Sequence, residues 1–220
     1  MEQKEEVLVR LRRHVATPAP EGVPAPEPVA APRRLPILSA FLVGEDPWRT
    51  PLFAAIAVGL ILGAALRFRD IPQTAVVAVY VAVLVSCAAT DLATFRVLNV
   101  ITYPAILFAF LVGAFMPGSD FVETIVGGAL AGGLMLLVLI ISRGAMGLGD
   151  VKLALFSGLL LGWPLAETGL VLTALAGGAA AVLLLAFGIK GRKDPIPYAP
   201  FISAATLAVI LWQGTVFARF

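Results

Sequence analysis

The sequence has little charge, one cysteine and one histidine, and each of these shortages excludes a class of protein. Charged residues make up 14% of the chain, against about 25% in typical soluble domains. The single cysteine, Cys87, excludes an intramolecular disulfide and a four-cysteine zinc site. The single histidine, His14, excludes a histidine-rich metal cluster, and we expect neither a metal nor a cofactor. A net charge of +2 gives no sign of nucleic-acid binding.

What the chain has in excess is apolar residues, which make up 60% of it. A soluble domain of this size cannot bury so much apolar surface, because its surface-to-volume ratio is too high. The excess is therefore expected to face lipid. In lipid an open chain can satisfy every backbone polar group only as helices. The composition thus predicts an all-α polytopic membrane protein.

Seven uncharged runs follow residue 50, and most are near the roughly 20 residues that a helix needs to cross a bilayer. They cover residues 50–66, 71–90, 97–119, 124–142, 153–166, 168–189 and 195–218. These runs predict about seven transmembrane helices. The fifth run is short and is joined to the sixth through Gly162-Trp163-Pro164, so six helices with one of them broken is the alternative.

Residues 1–50 predict a cytoplasmic tail with a Pro/Ala-rich linker, and residues 51–220 a membrane domain. The prolines over residues 17–34 favour an extended chain because they lack an amide donor. The sequence has no early apolar stretch followed by a small-residue cleavage site, so we expect no removable signal peptide. With the N-terminus in the cytoplasm, 13 of the 16 Lys and Arg residues are cytoplasmic, which is the orientation that the positive-inside rule favours.

Two carboxylates stand at the ends of predicted spans. Asp91 closes the second span and Asp150 opens the fifth, so both lie at the cytoplasmic side and share one membrane depth. Carboxylates at a bilayer edge are costly and by default mark a functional site. The alternative is that both only end helices in the headgroup region. Gly147 and Gly149 leave the approach to Asp150 nearly free of side chains, and the phosphate-loop spacing Gly-x-x-x-x-Gly-Lys-Ser/Thr is missing.

Two carboxylates that come together can share one proton and titrate as a pair. The ionised member accepts a proton from water while the neutral member donates one to the oxygen of the scissile carbonyl. This chemistry needs no metal and no covalent intermediate. The Ser/His/Asp and Cys/His schemes have no candidate base near either aspartate.

Three motifs in this order resemble the type IV prepilin peptidases, a branch of the intramembrane aspartyl proteases. Asp91-Leu-Ala-Thr-Phe-Arg-Val-Leu-Asn99 is similar to the family's Asp-Leu-Arg-x-x-x-Ile-Pro-Asn. Gly147-Leu-Gly-Asp-Val-Lys-Leu153 is similar to Gly-x-Gly-Asp-x-Lys-Leu. Ile196-Pro-Tyr-Ala-Pro-Phe201 is similar to Ile-Pro-Phe-Gly-Pro-Phe before the last helix. The resemblance covers roughly residues 50–217.

The resemblance implies an aspartic endopeptidase that removes the N-terminal leader of type IV prepilins or pseudopilins. The cleavage would occur at the cytoplasmic face of a prokaryotic inner membrane, with Asp91 and Asp150 as the catalytic pair. Gly147, Gly149 and Lys152 would form the active-site loop. Four further residues are candidates for shaping the substrate site: Asn99, Pro197, Tyr198 and Pro200. The simplest interpretation of the two prolines is that they mark the start of the last helix. A role in shaping the floor of the active site is the alternative.

The chain departs from the family pattern in three ways. Leu98 stands where the family has proline, and Ala199 where it has glycine. The cysteine-containing cytoplasmic segment that the family associates with methyl transfer from S-adenosylmethionine is also missing, so we expect the short, peptidase-only form. Three other classes stay open: a catalytically silent pilus-assembly membrane protein, a small membrane transporter, and a presenilin-like protease. The sequence does not indicate an oligomeric state.

Overall fold

Seven helices make up most of the described chain in the computed structural model, which describes residues 49–68, 70–142, 146–189 and 196–219. They are α1 Arg49–Arg67, α2 Ile71–Thr94, α3 Asn99–Phe115, α4 Phe121–Ile141, α5 Leu148–Leu161, α6 Leu165–Ala186 and α7 Ala199–Trp212. The predicted all-α polytopic membrane protein is confirmed. Apart from the first two residues of α1, the tail predicted over residues 1–50 lies outside the described residues.

Three of these helices are long and apolar enough to cross a bilayer on their own. They are α2, α4 and α6, with 24, 21 and 22 residues. Helices α5 and α7 have only 14 residues each, or about 21 Å of rise, which is less than the roughly 30 Å thickness of the hydrocarbon core. These two shortest helices are also the ones with the largest buried share of residues.

Helix α5 occupies the centre of the bundle, where it packs against α3, α4, α6 and α7. Its closest neighbour is α4, and two glycines allow the approach. A Cβ added to Gly127 would lie 2.6 Å from the carbonyl oxygen of Gly158, so no side chain fits between the two backbones. Small residues are expected to serve such contacts in lipid. By contrast, Gly133 and Gly178 face open space.

The structure moves the start of the fifth predicted span. Helix α5 begins at Leu148, although the uncharged run starts only at residue 153. The charged side chains belong to its first turn, because a carboxylate there can accept a backbone N–H group that the helix leaves without a partner. Residues 162–164 separate α5 from α6, and the two helices pack against each other.

The last predicted span is also shorter than its uncharged run. Helix α7 ends at Trp212, and Gly214, with a φ of +101°, turns the chain into an antiparallel hairpin of β1 Gly214–Thr215 and β2 Ala218–Arg219. A positive φ is readily adopted only by glycine, so the apolar run cannot continue as a helix here.

This C-terminal hairpin closes the end of the bundle that is opposite to Asp150. The Val216 N–H donates to the Leu160 carbonyl at 3.2 Å. Arg219 forms an ion pair with Glu123 at the start of α4 and donates to the Trp163 carbonyl. The hairpin therefore holds the first turn of α4 and the α5–α6 connection together.

Candidate active site

The first aspartate, Asp91, lies in the last turn of α2 and is only 5% exposed. Its Oδ2 accepts a hydrogen bond of 3.1 Å from the Ala199 N–H. Ala199 begins α7, and the first N–H groups of a helix have no partner within it. The N-terminus of α7 therefore satisfies and orients the carboxylate of Asp91.

The second aspartate, Asp150, is held by its own helix. It is the third residue of α5 and is 8% exposed. Its Oδ2 accepts the N–H of Gly147 at 3.3 Å, while its own N–H donates to the Gly147 carbonyl at 3.2 Å. This is how an acidic residue in the first turn of a helix reaches back to cap it. The local sequence therefore anchors one oxygen of the Asp150 carboxylate.

The fold places the two aspartates at the same end of the bundle, although they come from different helices. Both are buried, and Val97, six residues after Asp91, packs against Gly149, which precedes Asp150. Tyr198 lies near both aspartates. Its backbone is close to Asp91, and its phenol is close to Asp150. Burial and, secondarily, the Asp150 carboxylate raise the pKa of the Tyr198 phenol. Two buried carboxylates in this arrangement can share a proton and act as an acid–base pair.

The two glycines of the second motif are not equivalent. A Cβ added to Gly149 would lie 2.8 Å from the Val97 Cβ and 3.5 Å from the Val97 backbone nitrogen. A Cβ added to Gly147 would meet the Asp150 Oδ2 at 3.6 Å and the Gly149 backbone nitrogen at 3.8 Å, both ordinary contacts, and its φ of −86° suits any residue. Val97 thus fills the space beside Gly149, so that glycine serves close packing rather than an open approach.

Lys152 and Asn99 meet at the same end of the bundle. The Lys152 Nζ donates to the Asn99 Oδ1 at 2.8 Å and lies 4.4 Å from the centre of the Tyr103 ring. Asn99 and Tyr103 are four residues apart on α3, so they share one face of that helix. The structure therefore connects a residue of the first motif with a residue of the second.

The third motif lies at the start of α7, next to Asp91. Pro200 lies in the first turn of α7, where proline is favoured because its missing N–H costs no hydrogen bond. Pro197 is buried, and the Tyr198 ring packs so closely on α6 that a Cβ on Gly177 would lie 2.6 Å from it. The two prolines lie at the start of the helix, and the Ala199 N–H, which lies between them, donates to Asp91.

Neither departure from the motifs removes an interaction of the site. Leu98 has φ −75° and ψ 122°, close to the φ that proline would impose, so the turn after Asp91 is kept. Ala199 acts through its backbone N–H, and its side chain is fully buried. An alanine can therefore serve in place of glycine here.

Four contributors to the site were not found from the sequence. Val97 and Gly177 act by packing against residues that are distant in sequence. Gly177 lies in a run of small residues, and no sequence pattern distinguishes it from its neighbours. The amide of Ala199 could have been suspected, since the first residue of a helix has a free N–H group. Tyr103 also had a signal, because it follows Asn99 at helical spacing.

A small cavity lies elsewhere, between α4, α5, α6 and α7. Its polar lining consists of three hydroxyl groups, those of Ser157, Thr173 and Thr206, among small and apolar residues. Neither aspartate contributes to it. The cavity is therefore separate from the carboxylate pair, and the site follows from the contacts of the carboxylates rather than from the cavity.

The profile of the type IV leader peptidase family matches residues 78–212, a range that contains both aspartates and all three motifs. This chain belongs to the type IV leader peptidase family. A relative named prepilin leader peptidase/N-methyltransferase, from Bacillus subtilis (strain 168), is 28% identical over 170 residues, which are 76% of this chain and 67% of that protein. No solved structure matches the chain significantly. Membership of the type IV leader peptidase family supports a peptidase role toward prepilin-like proteins for an integral membrane protein of this kind.

Proposed function

We propose that this type IV leader peptidase family member is an aspartic endopeptidase with Asp91 and Asp150 as its catalytic pair. It cleaves the N-terminal leader of type IV prepilin-like substrates at the cytoplasmic face of the membrane. One observation carries the proposal: two motif aspartates from separate helices are both buried at one end of the bundle, where Val97, six residues after Asp91, packs against Gly149, which precedes Asp150. Carboxylates that only ended helices in the headgroup region would not need to be buried, whereas both aspartates are buried.

The arrangement supports a mechanism in which each carboxylate is anchored through one oxygen. The Asp91 Oδ2 is held by Ala199 and the Asp150 Oδ2 by Gly147. The ionised aspartate takes a proton from water, whose oxygen attacks the scissile carbonyl carbon, while the protonated aspartate donates to the carbonyl oxygen. Proton return to the amide nitrogen then breaks the C–N bond. Backbone anchoring favours this chemistry because it fixes the carboxylates before the substrate arrives.

The orientation that goes with this proposal places the aspartates and the N-terminus on the cytoplasmic side. Lys152 and Arg96 lie near the aspartates, whereas Arg219 lies at the opposite end with the hairpin. Counted over the whole chain, 13 of the 16 basic residues fall on the cytoplasmic side, as the positive-inside rule favours. A basic leader would then reach the site from the cytoplasm. The methyltransferase activity in the relative's name stays a property of that protein.

The experiment compares Asp91→Asn and Asp150→Asn in membranes, with a prepilin-like substrate that carries a basic leader. We expect each variant to lose leader cleavage by about 10³-fold or more, because catalytic groups that act as a unit fail together. Asp70→Asn is the matched control, since Asp70 is exposed at the N-terminus of α2, away from the pair. All variants should accumulate in the membrane at similar levels.

Two outcomes would reject the proposal. Substantial cleavage by either aspartate variant, at equal accumulation, would mean that the pair is not the catalytic centre. Inhibition of the wild-type protein by a metal chelator would also contradict it, because an aspartate pair activates water without a metal ion. Substrate that stays uncut by the wild-type protein, in every membrane tested, would favour the catalytically silent assembly protein.

A further inference from the structure

The connection between α2 and α3, residues 95–98, touches the first turn of α5 next to Asp150. Val97 packs beside Gly149, which precedes Asp150. Asn99, at the start of α3, accepts a hydrogen bond from Lys152, which follows Asp150 by two residues. The chain that leaves the helix of Asp91 therefore holds the turn that carries Asp150 at two points, one on each side of it.

The Lys152 side chain is engaged by neutral groups only. Its Nζ lies between the Asn99 side-chain oxygen and the Tyr103 ring. Within residues 49–68, 70–142, 146–189 and 196–219, no carboxylate lies at salt-bridge distance from it. Holding a lysine in one conformation costs side-chain entropy. The two contacts with α3 favour that conformation, so Lys152 bridges α5 to α3.

Such a bridge matters because the helices of the two aspartates are linked indirectly. Helix α2 packs on α7 and more lightly on α3, while α5 packs on both α3 and α7; direct packing between α2 and α5 is weak at most. The relative position of Asp91 and Asp150 therefore depends on third elements. One such element is the connection of residues 95–98, which begins four residues after Asp91 and packs against α5 through Val97.

We propose that Lys152 and Asn99 are positioning residues, which together with the Val97–Gly149 contact set the separation and orientation of the two aspartates. This role rests on the proposed function, because the separation has a catalytic meaning only if the aspartates form a pair. Neither residue touches the reacting atoms in this proposal. A displacement of about 1 Å in a catalytic group can cost about 100-fold in rate, so loss of the bridge is expected to slow catalysis rather than to weaken substrate binding.

The kinetic test uses Lys152→Met, Asn99→Ala and the double variant in full-length protein. We expect each single variant to lower kcat by about 10- to 100-fold with KM within about twofold. The double variant should be no slower than the slower single variant, because both substitutions remove the same contact. Asn99→Asp should keep activity, since a carboxylate accepts the Lys152 hydrogen bond even more strongly. Arg96→Met is the charge control, because Arg96 is exposed at the same end of the bundle.

Three kinetic results would overturn the positioning role. Asn99→Ala at the wild-type rate alongside a slow Lys152→Met would mean that Lys152 acts through its own charge. Losses that multiply in the double variant would mean that the two side chains act separately. An equal loss of kcat in Arg96→Met would mean that the effect comes from positive charge anywhere at this end of the bundle and not from the Lys152–Asn99 contact.

A distance measurement tests the bridge without any need for cleavage. Spin labels are placed at Ala93→Cys on α2 and Leu148→Cys on α5, both exposed positions, in a Cys87→Ala background. We expect a single narrow distance distribution, which broadens or shifts when Asn99→Ala or Lys152→Met is added. An unchanged distribution would refute the bridge. A broadened distribution in a protein that cleaves no leader would leave the bridge intact and reject only the proposed function.

Discussion

Replacing Gly149 with alanine tests whether the second glycine of the Gly-x-Gly-Asp motif is needed for its missing side chain. The new Cβ would lie 2.8 Å from the Val97 Cβ, 3.3 Å from its Cγ2 and 3.5 Å from its backbone nitrogen. An ordinary carbon–carbon contact is about 3.5–4.0 Å, so the two segments must separate by roughly 1 Å. Because the closest atoms belong to the Val97 backbone and Cβ, no rotation of its side chain relieves the overlap.

The expected cost follows from this displacement. Overpacking by one methyl group costs about 1–3 kcal/mol, which the folded protein should tolerate. The same shift moves the turn that carries Asp150 away from the segment that follows Asp91. We therefore expect Gly149→Ala to accumulate in the membrane but to cleave leader about 10- to 100-fold more slowly, as measured in detergent-solubilised protein with a purified substrate.

Gly147→Ala is the matched control, because a Cβ there meets one oxygen at 3.6 Å and the backbone is in an ordinary conformation. It should cleave within about threefold of the wild-type rate. Val97→Gly combined with Gly149→Ala removes the opposing Cβ and should recover part of the lost rate. Equal losses in the two glycine variants, or no recovery in the double variant, would refute the packing explanation.

Three further substitutions test other parts of the structure. Leu98→Pro should leave cleavage intact and raise the free energy of unfolding by about 0.4–1 kcal/mol in a denaturation assay, because Leu98 already has a φ of −75°; a loss of cleavage would contradict this. Gly177→Ala should slow cleavage about 10-fold by displacing Tyr198, whereas Gly178→Ala, which meets open space, should not. Asp120→Ala should lower stability by about 1 kcal/mol, since Asp120 caps α4 through two backbone N–H groups, while the cleavage rate stays unchanged at the distant aspartates.

The helices could be predicted from the sequence because a single physical constraint dominates them. Uncharged runs must be helical in lipid, and each of the seven runs overlaps a helix of the structure. The errors arose where charge was used as a boundary. Asp150 and Lys152 were excluded from the fifth run, although a carboxylate in a first turn stabilises a helix start. At the other end of the chain, Gly214 interrupts an apolar run through its backbone conformation, which hydropathy does not register.

The site was less predictable than the fold. Asp91 and Asp150 could be chosen from their place at the ends of spans and from their motifs, but the contacts that join them could not. The Ala199 N–H, the Gly177 backbone and the Val97 side chain act across long sequence separations. A motif shows which residue types recur together, whereas the packing partner of a glycine depends on which helices become neighbours.

The part of helices α5 and α7 that lies between the aspartates and the C-terminal hairpin bears on the proton gradient across the membrane. From Asp150 to the end of α5 is about 16 Å along the helix axis, and Leu153, Phe156 and Leu160 are buried along this path. In the described residues, neither α5 beyond Lys152 nor α7 carries a carboxylate, an imidazole or an amine. Along α5 and α7, a proton released at the aspartates thus meets no carboxylate, imidazole or amine before the hairpin. We therefore expect these two helices to carry no proton leak when the protein works in an energised membrane.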